Sequence, residues 1–199
     1  MSSPQRSRAL SIAFVAMLLS RLAGLALLPA LLAHAPLGLV AVSPSVGHLL
    51  MTAPLCPPGA WFALALGVSI AHGVIGWAFG RAYGGGAVRW LTERGVLSEA
   101  VARPVLNALD RAAPLVLLAI PGSIVFTLSG VAGLRGRRFF PPMLLAQVLW
   151  VGLCFAVGDA LTIWMARLQE LALAYAVPLT LLLLPWVAFR LRGLAGKSS

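Results

Sequence analysis

Four ionisable residues, Arg21, His72, Arg81 and Asp159, stand inside or at the ends of long apolar stretches. Holding a charge at the centre of a bilayer costs about 2.5–3.5 kcal/mol on insertion scales, so a residue kept there needs a use. Arg21 lies in "ALSIAFVAMLLSRLAGLALLPALLA", about 18 Å along a helix from residue 9 at roughly 1.5 Å per residue. Its guanidinium has the planar fork that holds a lipid phosphate through two hydrogen bonds, and it equally suits the carbonyl end of a broken helix. His72 can exchange a proton near neutral pH, or spend one ring nitrogen on a backbone carbonyl. Asp159, in "VGDAL", either neutralises Arg21 or meets water at the interface. Arg81 follows a glycine-rich apolar run, at the depth where head groups lie. Arg135, Arg137 and Arg138 form a cluster whose simplest use is topology and attraction to anionic lipid, worth about 1 kcal/mol per residue near the surface.

Other chemistry finds less support. Gly84, Gly85 and Gly86 lack the preceding strand and the following Lys-Ser or Lys-Thr of a phosphate loop. "TLSG" at 127–130 resembles the nucleophile region of rhomboid proteases, with His72 as a conceivable base, but no second motif accompanies it. A serine in an apolar helix generally bonds its own backbone. Cys56 and Cys154 have neither the spacing nor the neighbours for a metal site, and no structural disulfide is expected. The reading is therefore non-enzymatic, without metal or cofactor.

These residues must be positioned by membrane helices. The chain is 60% hydrophobic and only 10% charged, which a soluble domain of 199 residues could not bury. Its net charge of +10 is spread through short gaps between apolar runs and not gathered on one face, which argues against a nucleic-acid partner. Four spans are expected, at 9–33, 60–80, 139–166 and 171–189. A secretory signal is the rival reading of the first, on Arg6, Arg8 and the "AHA" at 33–35, but its apolar run exceeds the usual length. Residues 36–58 and 114–134 are apolar yet broken by prolines and glycines; broken backbone at membrane depth needs cover from protein, so both are expected to be re-entrant. Between them, 81–113 reads as a cytoplasmic amphipathic segment, with Trp90, Leu97, Val101, Val105 and Leu109 near helical spacing and a kink at Pro104.

Charge sets the orientation. With a cytoplasmic amino terminus, Arg167 falls outside and Arg21 within a span, and the other thirteen of the fifteen Lys and Arg residues lie inside, including Arg190, Arg192 and Lys197. That count requires 114–134 to return to its side of entry, with the Pro121-Gly122 break as the turn. The expected fold is an all-α membrane protein in a single membrane domain, 1–199: about four transmembrane helices plus two re-entrant broken helical segments in an inverted-repeat arrangement.

"GVIGWAFGRAYG" at 73–84 resembles the pattern G-D-x-x-G-Y-x-x-G-R-x-x-G of the DedA family, also called VTT or SNARE-associated membrane proteins, at Gly76, Gly80, Arg81 and Gly84. "IPG" at 120–122, then Gly130, Phe139 and Trp150, is similar to that family's second broken segment and following span, so Pro121, Gly122 and Gly130 are the corresponding structural positions. The resemblance implies a bacterial inner-membrane protein with both termini cytoplasmic that moves phospholipid or a polyprenyl phosphate between leaflets. Arg81 follows Gly80 in the matched motif and His72 stands beside the family's aspartate position, so with Arg21 and Asp159, read from their depth in the spans, lipid phosphate is expected at Arg21 and Arg81 and a polar or proton site at His72 and Asp159. The chain departs from the family where Gly73 replaces an aspartate, Val46 a glutamate, and Leu118 and Ile124 arginines. Proton-coupled antiport is therefore not implied. Membrane lipids are the expected partners, with a homo-oligomer allowed. A non-transporting scaffold or partner subunit is the alternative.

Overall fold

The computed structural model describes residues 3–195, with side chains for 8–185, 188 and 189. Arg6, Arg190, Arg192 and Lys197, which entered the charge count, lie outside the described side chains. No strand occurs among the described residues. The helices are α1 (Ser3–Ala26), α2 (Leu28–His34), α3 (Pro36–Val42), α4 (Val46–Thr52), α5 (Pro58–Tyr83), α6 (Gly85–Glu93), α7 (Glu99–Ala119), α8 (Ser123–Val131), α9 (Gly136–Ala160) and α10 (Thr162–Ala195), with a 3-10 turn at Ala53–Leu55.

Four stretches among the described residues are long and apolar enough to cross a membrane: Arg8–Ala26, Pro58–Tyr83, Gly136–Ala160 and Thr162–Pro185. Their outer faces fit lipid. Ile163, Val177, Leu182 and Phe189 on α10 are each at least 69% exposed, and Leu145, Val148, Leu149 and Leu153 stand out along α9. So continuous an apolar exterior marks a membrane protein.

Proline placement explains the short helices. Pro29, Pro36 and Pro54 fall at the first or second position of α2, α3 and the 3-10 turn, where a missing N–H costs nothing. The stretch expected to run unbroken over 9–33 accordingly turns at Leu27, before Pro29. Pro104 does not kink α7; the non-helical residue is Ala112 (φ −147°, ψ 48°), two before Pro114, whose ring crowds the carbonyl four residues back. The interruption after α9 sits at Leu161 and not at the charged 167–170, because Arg167, Gln169 and Glu170 are good helix formers.

The chain forms two compact units. One comprises 70–148 and α1 up to Met17; the other comprises 18–69 and 149–192. In the first, α8 packs on α6 and α7. Phe126, Leu128, Phe139 and Met143 are fully buried there, and Phe14 stacks on Phe79 at 4.0 Å with Trp90 edge-on to both. Leu97 and Leu109 of the predicted amphipathic face are buried, but Val101 is exposed. Val101 and Leu109 both lie on α7, where a spacing of eight residues leaves them about 80° apart, and α7 buries Ala102, Leu109, Ala113 and Leu117 instead. In the second unit, Trp61 and Val151 anchor a cluster with Ala53, Cys56 and Cys154, and Leu32 and Leu39 pack with Ala172 and Ala176.

Candidate functional site

In the first unit the resemblance-assigned glycines converge on one helix contact. A Cβ added to Gly76 would stand 3.0 Å from the Ser123 carbonyl; one on Gly80 would overlap the Thr127 carbonyl; one on Gly130 would overlap the Trp77 carbonyl and come within 2.7 Å of the Arg81 amide. Gly76 and Gly80 are four apart on α5 and present one bare stripe, so the backbones of α5 and α8 touch. α8 is preceded by Gly122, which follows Pro121 and offers no capping side chain. Two residues past its end stands Gly133, whose φ of +72° suits glycine. There the Gly133 N–H donates to the Gly130 carbonyl and the Leu134 N–H to that of Ser129, closing a Schellman motif.

Arg81 attends this end. Its guanidinium donates to the Leu134 carbonyl at 3.3 Å and lies 5.3 Å above the Trp77 ring, while the Trp77 indole donates to the same carbonyl at 3.1 Å. A cation beside exposed carbonyls after a helix end is favourable, and Arg81 is itself exposed. Gly84 (φ +51°) makes the turn from α5 to α6. The buried Thr127 and Ser129 hydroxyls donate to the Ser123 and Phe126 carbonyls, each at 2.7 Å. His72 is half-buried on α5.

In the second unit the structure assembles a polar group around Ser43–Pro44–Ser45, the break between α3 and α4. Gly24 on α1 has no Cβ and so lies directly against Ser43; Arg21, one turn earlier, is half-buried and within electrostatic range of His48. His48 is buried with Nδ1 2.8 Å from the Ser43 carbonyl. A carbonyl only accepts, so Nδ1 carries the hydrogen in this contact and Nε2 is the nitrogen whose protonation changes the charge. The Thr52 hydroxyl donates to the His48 carbonyl at 2.7 Å and accepts from the Trp61 indole at 2.9 Å. This chain ties the break to the start of α5. Asp159 lies exposed at the end of α9, its carbonyl accepting from the Thr162 hydroxyl.

Of the residues singled out from the sequence, Gly76, Gly80, Arg81, Gly130 and the Pro121-Gly122 break thus gather around α8. Arg21 belongs with Ser43 and His48, while His72 falls in the other unit. His48, Thr52 and Trp61 were missed. Their signal was the spacing of His48 and Thr52, one helical turn apart directly after Pro44, followed by a tryptophan whose N–H needs a partner when buried. Cys56 sits in the apolar cluster with Trp61 and Val151. Comparison of the chain with protein-family models, curated proteins and solved structures found no match.

Proposed function

We propose that the chain moves a phosphate-bearing lipid, a phospholipid or polyprenyl phosphate, between the leaflets of a bacterial inner membrane. On this reading 36–58 and 114–134 are re-entrant elements related as an inverted repeat, and both termini are cytoplasmic. The observation that carries it is that each unit contains one broken helical segment that its own unit covers: Ser43 under Gly24 in one, and α8 against Gly76 and Gly80 in the other. Broken backbone inside a membrane persists where protein covers it, and such breaks are where transporters hold polar cargo. The likeness of "GVIGWAFGRAYG" to the DedA pattern supports the same reading. The helical start at Ser123, after a glycine that cannot cap it, favours an anion, and Arg21 and Arg81 supply cationic donors in the two units.

One observation favours a scaffold instead: Arg81 already holds the Leu134 carbonyl. The readings separate in vesicles containing the purified full chain, using fluorescent phospholipid and polyprenyl phosphate with an outer-leaflet quencher. Translocation predicts exchange above empty vesicles, reduced in Arg21→Ala and Arg81→Ala. Folded protein that moves neither lipid would leave the scaffold.

A further inference from the structure

Three cavities of the first unit surround the bend of α7 at Ala112. Two neighbouring ones, of about 450 and 380 Å³, share Leu109, Asp110, Leu134 and Arg138. The first adds Arg135; the second adds Arg111 and Arg137. The third, about 400 Å³, is walled by the two limbs of α7, with Pro104, Val105 and Ala108 before the bend and Leu115, Val116 and Ile120 after it. Its lining is carbon almost throughout. Four arginines against one aspartate leave the basic pair with a net charge of +3.

We propose that this is a binding site for one acidic phospholipid, its phosphate held between Arg135 and Arg138 and an acyl chain seated in the groove from Pro104 to Ile120. Two features lift it above the general attraction of basic residues to anionic membranes. The arginines line concave walls supplied by α7, by the turn after α8 and by α9, with volumes in the range of small-ligand sites of about 300–1,000 Å³. The apolar groove is built from the same helix, since Ala108 and Leu115 of the groove flank Leu109, Asp110 and Pro114 of the basic cavities. A lipid is the ligand class that needs both. Asp110 is the one lining group that opposes a phosphate, so it tunes affinity. The site does not rest on lipid translocation and serves a scaffold equally.

The test uses the purified full chain in detergent, titrated with phosphatidylglycerol and phosphatidylcholine and read by native mass spectrometry. One phosphatidylglycerol per chain is expected in preference to phosphatidylcholine. Arg135→Gln with Arg138→Gln removes charge-assisted hydrogen bonds and should weaken phosphatidylglycerol about tenfold or more. Arg8→Gln with Arg89→Gln, an equal charge change at exposed positions of the same unit, should alter it by less than about twofold. Asp110→Asn should tighten it, and Ala108→Phe should weaken it with no change of charge. Equal losses in the two arginine pairs would reduce the effect to net charge and overturn the site. Displacement of the lipid by millimolar glycerol 3-phosphate would reassign it to a soluble phosphate ester. All four arginine side chains are exposed, so both pairs are expected to fold, and they decide the question even if Ala108→Phe does not.

Discussion

The same substitution on one helix should have opposite signs at two glycines. In Gly80→Ala the new methyl would overlap the Thr127 carbonyl, a backbone atom of α8 that no side-chain rotation can move away. Carbon and carbonyl oxygen need about 3.3–3.6 Å, so α5 and α8 must separate or shear by on the order of 1 Å. A gap of that size forfeits a quarter to a half of each dispersion contact it opens, and overpacking costs roughly 1–3 kcal/mol at ordinary sites. Phe126, Leu128 and Phe139 are fully buried beside the contact and share the displacement, placing Gly80→Ala near the upper end, about 3 kcal/mol destabilising. At Gly67, also on α5, a Cβ meets nothing within 4 Å, and alanine should stabilise by roughly 0.5–1 kcal/mol through helix propensity. The difference of about 3–4 kcal/mol corresponds to roughly 6–16 °C for a chain of this size. Thermal unfolding of both variants in one detergent, followed by size-exclusion chromatography with tryptophan fluorescence, measures it. Equal midpoints for the two variants would refute the backbone contact. Gly130→Ala should resemble Gly80→Ala, and the double variant should cost less than the sum because both open the same contact.

Thr52→Val leaves the buried Trp61 indole N–H without its acceptor and should destabilise by about 1–3 kcal/mol; Trp61→Phe removes the donor but also shrinks a fully buried side chain, so the bond is read from the double variant, which chemical unfolding in mixed micelles should find less destabilised than the sum of the two single changes, and strict additivity would contradict the network. Gly133→Ala must hold a φ of +72° and should cost about 1 kcal/mol, while Gly122→Ala, at an extended φ of −154°, should be nearly neutral, in the same assay.

Much of the helical plan was legible because it depends on local chemistry. Long apolar runs with few charges gave the spans, and Pro44 and Pro121-Gly122 marked the two breaks, since a missing N–H and a fixed φ act wherever the residue stands. Errors came where two local signals competed. Pro104 and Pro114 look alike in sequence, yet the bend forms beside Pro114, and the charged 167–170 stays helical because charge alone does not end a helix. The tertiary structure decided which residues meet. Nothing local distinguishes Gly67 from Gly80 on the same helix; only the approach of α8 gives Gly80 its purpose. His72 and His48 are similarly indistinguishable by type, and His48 has Arg21 within electrostatic range because Gly24 allows α1 to lie against the Ser43 break. Local rules follow from each residue's own backbone and burial, whereas contacts between residues far apart in the chain exist only once packing has chosen them.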